Sequence, residues 1–515
     1  MKQVQVIENA YFDSATLMAA AQLVKREYAL KESVAVMATD ANKALLRDVD
    51  LLSDDVDGAR ARDLVLAVCG DADVDAAIAS LDSRIRSAAQ PVAGGEAQEV
   101  GTLGEALKLV PESNLVLISV PGRYAVEEAH QALDEGRHVM IFSDNVSIED
   151  EVALKTKAQE NGLLMMGPDC GTAIIGGAPL AFANAVRRGS IGIVAAAGTG
   201  LQEVSCLVDY YGGGVSQGIG TGGRDVKDRV GGLQMLQSAR ALLDDASTEV
   251  LVLVSKPPQP QTFTRIMDLI RTAAKPVVVC MLGGARDQVE TAGGIFAGTL
   301  EEAARKAVEA SGVVIDVPAS CAELPQSIMD AAARMDTKRK YLRALYTGGT
   351  LCYEALIQLS DAIDLRSNIA LREDLKLEDS FTSAGHTAVD MGEDEFTDGR
   401  PHPMIEPSLR AERLAQELED PEVAVILLDF VLGFGSHHDP VGAMAETIRL
   451  HRVDGSGSSP FIIASVTGTA EDPQSIDAQL IQLQELGVHA YRSNAQALDA
   501  VRTILAALPA DAQSK

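Results

Sequence analysis

Residues 193–203 read Ile193-Val194-Ala195-Ala196-Ala197-Gly198-Thr199-Gly200-Leu201-Gln202-Glu203, and residues 344–354 read Ala344-Leu345-Tyr346-Thr347-Gly348-Gly349-Thr350-Leu351-Cys352-Tyr353-Glu354. Each is a short apolar run, a Gly/Thr turn and then an amphipathic segment, which predicts a strand passing straight into a helix. The echo continues in order. Glu249-Val-Leu-Val-Leu-Val254 answers Val423-Ala-Val-Ile-Leu-Leu428, Lys275-Pro-Val-Val-Val279 answers Pro460-Phe-Ile-Ile-Ala464, and Gly294-Ile-Phe-Ala297 answers Gly487-Val-His-Ala490. Four ordered matches along two successive segments predict a duplicated flavodoxin-like domain.

Working outward, strand-like and helical runs alternate almost throughout, which means α/β layers with parallel sheets. The first 90 residues read strand (Gln3 to Ile7), helix (Ser14 to Tyr28), strand (Ser33 to Ala38), helix (Asp40 to Leu46), strand (Leu64 to Cys69), helix (Val74 to Ser87). They predict a small separate α/β domain over 1–90. Gln90 to Gln98, with Pro91, Gly94 and Gly95, reads as a linker. A Rossmann-like unit is expected over 100–186 and the two flavodoxin-like domains over 187–335 and 341–510.

The chain has 515 residues and 47% apolar content, enough for three or four cores. Its 44 Lys and Arg stand against 74 Asp and Glu, a formal charge of -30 that would repel a phosphate backbone, so nucleic-acid binding is not expected. Six cysteines lie far apart with no Cys-x-x-Cys pair and no secretory signal, which fits a reduced cytoplasm. No apolar run is long enough to suggest a membrane helix. With no tryptophan and 4% aromatics, base-stacking platforms are not expected either, and small-molecule chemistry remains.

Candidate chemistry sits in the Gly-rich turns, because ligands of open parallel sheets bind beyond the carboxyl ends of the strands. Gly198, Thr199 and Gly200 open a helix that Gly212 ends. The unpaired amides and positive dipole of such a helix end attract an anion, and glycine lets a phosphate approach. Gly348, Gly349 and Thr350 are the counterpart in the second repeat. Gly222 and Gly223 in Gly220-Thr-Gly-Gly-Arg-Asp225, and Gly433 and Gly435 in Gly433-Phe-Gly-Ser-His-His-Asp-Pro440, are expected to line the same cleft. Neither is a nucleotide fingerprint. Adjacent His437 and His438 have no third ligand at metal spacing, so no metal is expected. Cys170, in Gly167-Pro-Asp-Cys-Gly-Thr172, has no partner base and reads as structural. The two prolines of Gly399-Arg-Pro-His-Pro-Met404 would stiffen a loop presenting Arg400 and His402, where Arg400 could clamp a carboxylate or phosphate.

Met166-Gly-Pro-Asp-Cys-Gly171, followed by Ile191-Gly-Ile-Val194 and Gly198-Thr199, resembles the α subunit of succinyl-CoA synthetase, and the chain from Leu345 onward resembles the ligase domain of its β subunit. Phe142-Ser-Asp-Asn-Val146, Met165-Met-Gly-Pro-Asp-Cys-Gly-Thr172, Pro179-Leu-Ala-Phe-Ala-Asn184, Tyr346-Thr-Gly-Gly-Thr-Leu351 and Gly399-Arg-Pro-His-Pro-Met-Ile405 together resemble the FdrA family over essentially the full length. That resemblance implies a cytoplasmic subunit of oxamate carbamoyltransferase. With two other subunits it would convert oxalurate and phosphate into oxamate and carbamoyl phosphate during anaerobic allantoin breakdown. It implies phosphate or carbamoyl phosphate as ligand and no required cofactor. Assembly as a homo-oligomer is a separate expectation.

By the synthetase motif, Gly198, Thr199 and Glu203 match the phosphate-helix segment, and Asp169 and Cys170 match its neighbouring loop. Glu203, Arg400 and His402 are the candidate catalytic residues. The synthetase's Gly-rich CoA loop is missing at its place, which leaves CoA doubtful. Its phosphohistidine loop corresponds to Leu282 through Gly293, where this sequence has no histidine, and none occurs between His138 and His386. The alternatives are an ADP-forming acyl-CoA synthetase with a relocated phosphoryl acceptor, His437 or His438, and a non-catalytic regulatory subunit.

Overall fold

The computed structural model describes the chain except residues 1, 8–9, 11, 13, 40–41, 44–45, 48–50, 61–62, 71–72, 89–99, 318–323, 398–399, 451–458 and 510–515. The expected linker with Pro91, Gly94 and Gly95 lies outside the described residues, as do Asp40, at the start of the expected helix to Leu46, and Gly399. The chain forms two compact units, one of Met1–Val100 with Thr397–Glu406, the other of Gly101–Phe396 with Pro407–Lys515.

In the first unit, β1 (Lys2–Ile7), α1 (Ser14–Glu27), β2 (Glu32–Met37), β3 (Leu64–Cys69) and α2 (Val74–Ala88) form a sheet of order β1-β3-β2. Apolar Leu64-Val-Leu-Ala-Val68 is buried on both faces and takes the centre. Leu17 and Val24 of α1 and Ala77, Ile78, Leu81 and Ile85 of α2, at helical spacing, pack on Leu64, Leu66 and Val68. Each large side chain so buried contributes about 1.5–3 kcal/mol. The alternation of strand and helix predicts a parallel sheet, but here β3 runs antiparallel to both neighbours. β1 and β2 are the parallel pair of a crossover, and β3 inserts between them.

The second unit begins with a parallel sheet β4-β5-β6 (Leu115–Ile118, His138–Ile141, Met165–Met166), flanked by α3 (Gly122–Asp134) and α4 (Ile148–Glu160). The first repeat follows: β7 (Thr172–Ile175), β8 (Ala178–Ala181), β9 (Arg188–Ala195), α5 (Gly198–Tyr210), β10 (Val215–Gly220), α6 (Leu233–Asp244), β11 (Val250–Ser255), α7 (Pro260–Thr272), β12 (Val277–Met281), β13 (Ile295–Phe296) and α8 (Leu300–Ala310). The second repeat contains β14 (Tyr341–Tyr346), α9 (Gly349–Leu359), β15 (Leu365–Ser367), β16 (His386–Asp390), α10 (Ser408–Glu419), β17 (Val423–Val431), α11 (Pro440–Leu450), β18 (Phe461–Thr467), α12 (Ile476–Glu485), β19 (His489–Tyr491) and α13 (Asn494–Ala507).

The sheet orders, β13-β12-β11-β9-β10-β7-β8 and β19-β18-β17-β14-β16-β15, share a five-strand flavodoxin-like order. The duplication is therefore structural as well as sequential. One detail departs from the sequence match. Val252 lies against Ile193, while Leu427 lies against Ala344, because a bulge adds one residue to β17 between Val423 and Val425. Beyond it, Val254 corresponds to Asp429 and not to Leu428, and each β17 side chain faces opposite to the naive match.

Candidate functional site

In this topology the ligand crevice lies where adjacent strands send their connections to opposite faces of the sheet, between β9 and β11 and between β14 and β17. Both Gly/Thr turns stand there, and they meet. The Thr350 amide donates to Thr199 Oγ1 over 3.4 Å. A Cβ on Gly200 would lie 3.0 Å from Thr350 Cγ2, and one on Gly348 would lie 2.9 Å from Thr199 Cγ2. Glycine at these two positions is what allows the helix ends to approach.

The two ends differ in what already occupies them. α5 begins after Ala197, which supplies no side-chain cap, and its first turn holds no acidic residue. Its positive end thus has no counter-charge from its own turn. At α9, the Asp429 carboxylate fills the turn. It accepts from the Thr347 amide (2.8 and 3.0 Å), the Gly348 amide (2.8 Å), Thr347 Oγ1 (3.1 Å) and Arg410 Nη2 (2.9 Å). At the α5 turn the corresponding residue is Val254, whose Cγ1 would lie 3.2 Å from a Cβ on Gly200. The α5 turn has no such carboxylate, while the α9 turn holds one of the chain itself.

Three further groups border the open end. Gly198 stands against Thr172, whose Oγ1 would lie 3.2 Å from an added Cβ. Gly222 has φ +82, and a Cβ there would come to 2.2 Å from Pro168 O, so only glycine seats this turn against the Gly167–Asp169 loop. Gly223 lies beside Ala196 O and Asp169 Oδ2. Asp169, itself at φ +56, is an exposed residue whose carboxyl is crowded by protein. Desolvation and then Asp144 push its pKa up to about 7, with Glu393 and Asp394 adding to this and Arg224 opposing it.

Lys256, which follows β11, was not singled out from the sequence. It is half-buried, its ammonium stands 5.1 Å over the Tyr353 ring, and its charge favours ionisation of Asp390. The signal was present: a lysine directly after an apolar strand, before Pro257 and Pro258, at a crevice position. Asp390 is fully buried with a pKa of about 7, raised by desolvation and Glu393. Its Oδ2 would lie 2.4 Å from a Cβ on Gly349.

The other residues named from the sequence have the following surroundings. Cys170 is 2% exposed and burial pushes its thiol up to about 12, so it carries no thiolate. Gly433 donates its amide to Gln474 and packs on Ala183 and Asn184, while Gly435 packs on Phe182. Arg400 and His402 belong to the Thr397–Glu406 segment of the other compact unit. Arg400 is exposed, and burial lowers the His402 imidazole to about 4. Its Nδ1 accepts from the Met404 amide at 3.2 Å. His437 Nδ1 accepts from the Asp439 amide at 3.1 Å.

Glu203 lies in the second turn of α5 and is 1% exposed. It accepts from Thr467 Oγ1 and, at 2.9 Å, from the Asn494 amide that opens α13. Its repeat counterpart Glu354 accepts from the Leu300 amide that opens α8 (2.8 Å) and from Asn494 Nδ2 (2.8 Å). Each repeat's glutamate therefore caps a helix of the other. Desolvation raises Glu203 to about 8 and Glu354 to about 7.

Known proteins match this chain in parts and over nearly its whole length. The family model described as "CoA-ligase" matches residues 345–504, and that described as "AllF, heavy metal-associated domain" matches residues 1–101. Soft-metal sites need paired thiolates or imidazoles. Residues 1–101 contain one cysteine, Cys69, and no histidine, so they do not fit a heavy-metal ion. The α subunit 2 of an ADP-forming succinate–CoA ligase from Archaeoglobus fulgidus is 28% identical over 42% of this chain and 78% of its own length. The structure of PH0766 from Pyrococcus horikoshii OT3 covers 80% of this chain and 88% of its own at 14% identity, with a TM-score of 0.31. The uncharacterized protein YahF of Escherichia coli K12 is 45% identical over 488 residues, 93% of this chain and 94% of its own. With that near-complete match, an AllF-type N-terminal segment and a CoA-ligase domain on a duplicated sheet, the chain belongs to the FdrA family.

Proposed function

We propose that the open N-terminus of α5 holds inorganic phosphate and that the chain serves as a subunit of an oxamate carbamoyltransferase. The observation that carries the reading is the α5 end, which has no side-chain cap and is pressed against the second repeat through Thr199 and Thr350; Lys256 stands over Tyr353 of the second repeat. Amides and a helix dipole would fix the phosphate, and Lys256 would offset its charge.

A phosphate oxygen then attacks the carbamoyl carbon of oxalurate. The C–N bond to the oxamate nitrogen breaks, and the phosphate proton passes to that nitrogen, giving carbamoyl phosphate and oxamate. Holding the attacking oxygen in place is the main need of such a step. A requirement for two partner subunits and assembly as a homo-oligomer belong to the same reading. The step as proposed needs no CoA, and Arg400 and His402 are assigned no part in it.

The test is oxalurate phosphorolysis by the co-purified complex, alongside thermal stabilisation of this chain by phosphate. We expect Lys256→Met and Thr199→Val to weaken both. A complex that forms no carbamoyl phosphate, with a chain indifferent to phosphate, overturns the reading. The CoA-ligase match over residues 345–504 favours a second reading, ADP-forming acyl-CoA ligation. Acid-labile phosphate on His437 or His438 after incubation with labelled ATP would establish it in place of the first.

A further inference from the structure

The turn before α9 is built as an anion receptor, yet no small molecule needs to enter it. Two backbone amides, one hydroxyl and a guanidinium converge on the two oxygens of Asp429, which is 0% exposed. Arg410 is itself 3% exposed, and its Nε has no hydrogen-bond partner, so a buried cation faces this position with capacity to spare. At the α5 turn the corresponding residue is Val254, which supplies no oxygen.

We propose that Asp429 is a tethered oxyanion, and that the α9 cradle is a binding site for a small carboxylate which the chain fills with its own side chain. The bulge in β17 makes this possible, because without the added residue the Asp429 side chain would turn to the opposite face of the sheet. The seated carboxylate fixes the Thr347–Thr350 turn against Thr199. The crevice then offers one open anion position per chain, on the α5 side.

Chemical rescue tests this. Asp429→Ala removes the carboxylate and leaves a methyl group, so the freed space is that of formate. The full chain of the variant is compared with the wild type and with Asp429→Asn, whose amide still fills the space, by thermal unfolding in sodium formate and in sodium chloride of equal ionic strength. We expect Asp429→Ala to lose thermal stability in chloride and regain most of it in formate. Wild type and Asp429→Asn should respond to the two salts alike.

An Asp429→Ala protein that is folded and no more responsive to formate than the wild type overturns the proposal. So does one that remains unfolded in formate. The outcome is separable from the phosphate reading of α5: if phosphate leaves the wild type unchanged while formate restores Asp429→Ala, the proposed function falls and the tethered oxyanion stands.

Discussion

Replacing Glu203 by Gln should change how the stability of the second unit depends on pH. Glu203 ordinarily titrates at 4.5 but is raised to about 8, first by desolvation and then against the opposing bonds from Thr467 and Asn494. Below about pH 4.5 the carboxyl is protonated in both states, and its contribution is complete. Between 4.5 and about 8 the unfolded chain has released a proton that the folded chain keeps, so stability falls as pH rises. Each pH unit in that window costs at most ~1.4 kcal/mol for one carboxyl.

Glutamine resembles the protonated acid: its oxygen can accept from the Asn494 amide and its NH2 can donate to Thr467 Oγ1. At pH 5 the variant should therefore lie within ~1 kcal/mol of the wild type. By pH 8 it should be more stable than the wild type by ~1–4 kcal/mol, the upper figure being three pH units at full slope. Urea titrations at pH 5, 6, 7 and 8, followed by a probe in the second unit, measure the difference. Asp169 and Asp390 also titrate near 7 but cancel in the comparison; Glu354, near 7 and held by the same Asn494, is coupled to Glu203, so Glu354→Gln is measured alongside. Parallel wild-type and variant curves across the range would refute the argument.

Gly222→Ala forces a Cβ into Pro168 O at a positive φ, so a loss of ~2 kcal/mol or more is expected, read as a lower urea midpoint. Cys170 should resist iodoacetamide at pH 8 in the folded chain and react on unfolding, and mass spectrometry of peptides from pulse-labelled protein checks this. The His402 ring should stay neutral down to about pH 4 in an NMR titration, and a midpoint near 6.5 would mean that burial does not govern it.

The sequence carried the architecture of the repeats well, because apolar strands such as Val250–Val254 and turns such as Gly348-Gly349 are local signals. It carried the N-terminal sheet less well, since nothing in the order of strand and helix says that β3 inserts between β1 and β2. The filling of the second cradle was hidden by a single bulge. Matching Glu249 with Val423 is correct at the strand start, yet one residue later the facing of every side chain has reversed, and Asp429 turns to the cradle. Glu203 looked catalytic because it follows Gly198 and Thr199 at the family's spacing. In the fold it turns from the mouth toward Thr467 and Asn494, a pairing separated by hundreds of residues and invisible to local pattern.

The exchange of helix caps between the repeats bears on how the polypeptide can be divided. A break in the connection between α8 and β14 would leave each fragment with a buried glutamate and a helix-opening amide whose partners lie in the other fragment. Two separately expressed fragments should then be poorly soluble alone and reassemble when mixed, so the covalent link between the repeats supplies proximity more than structure.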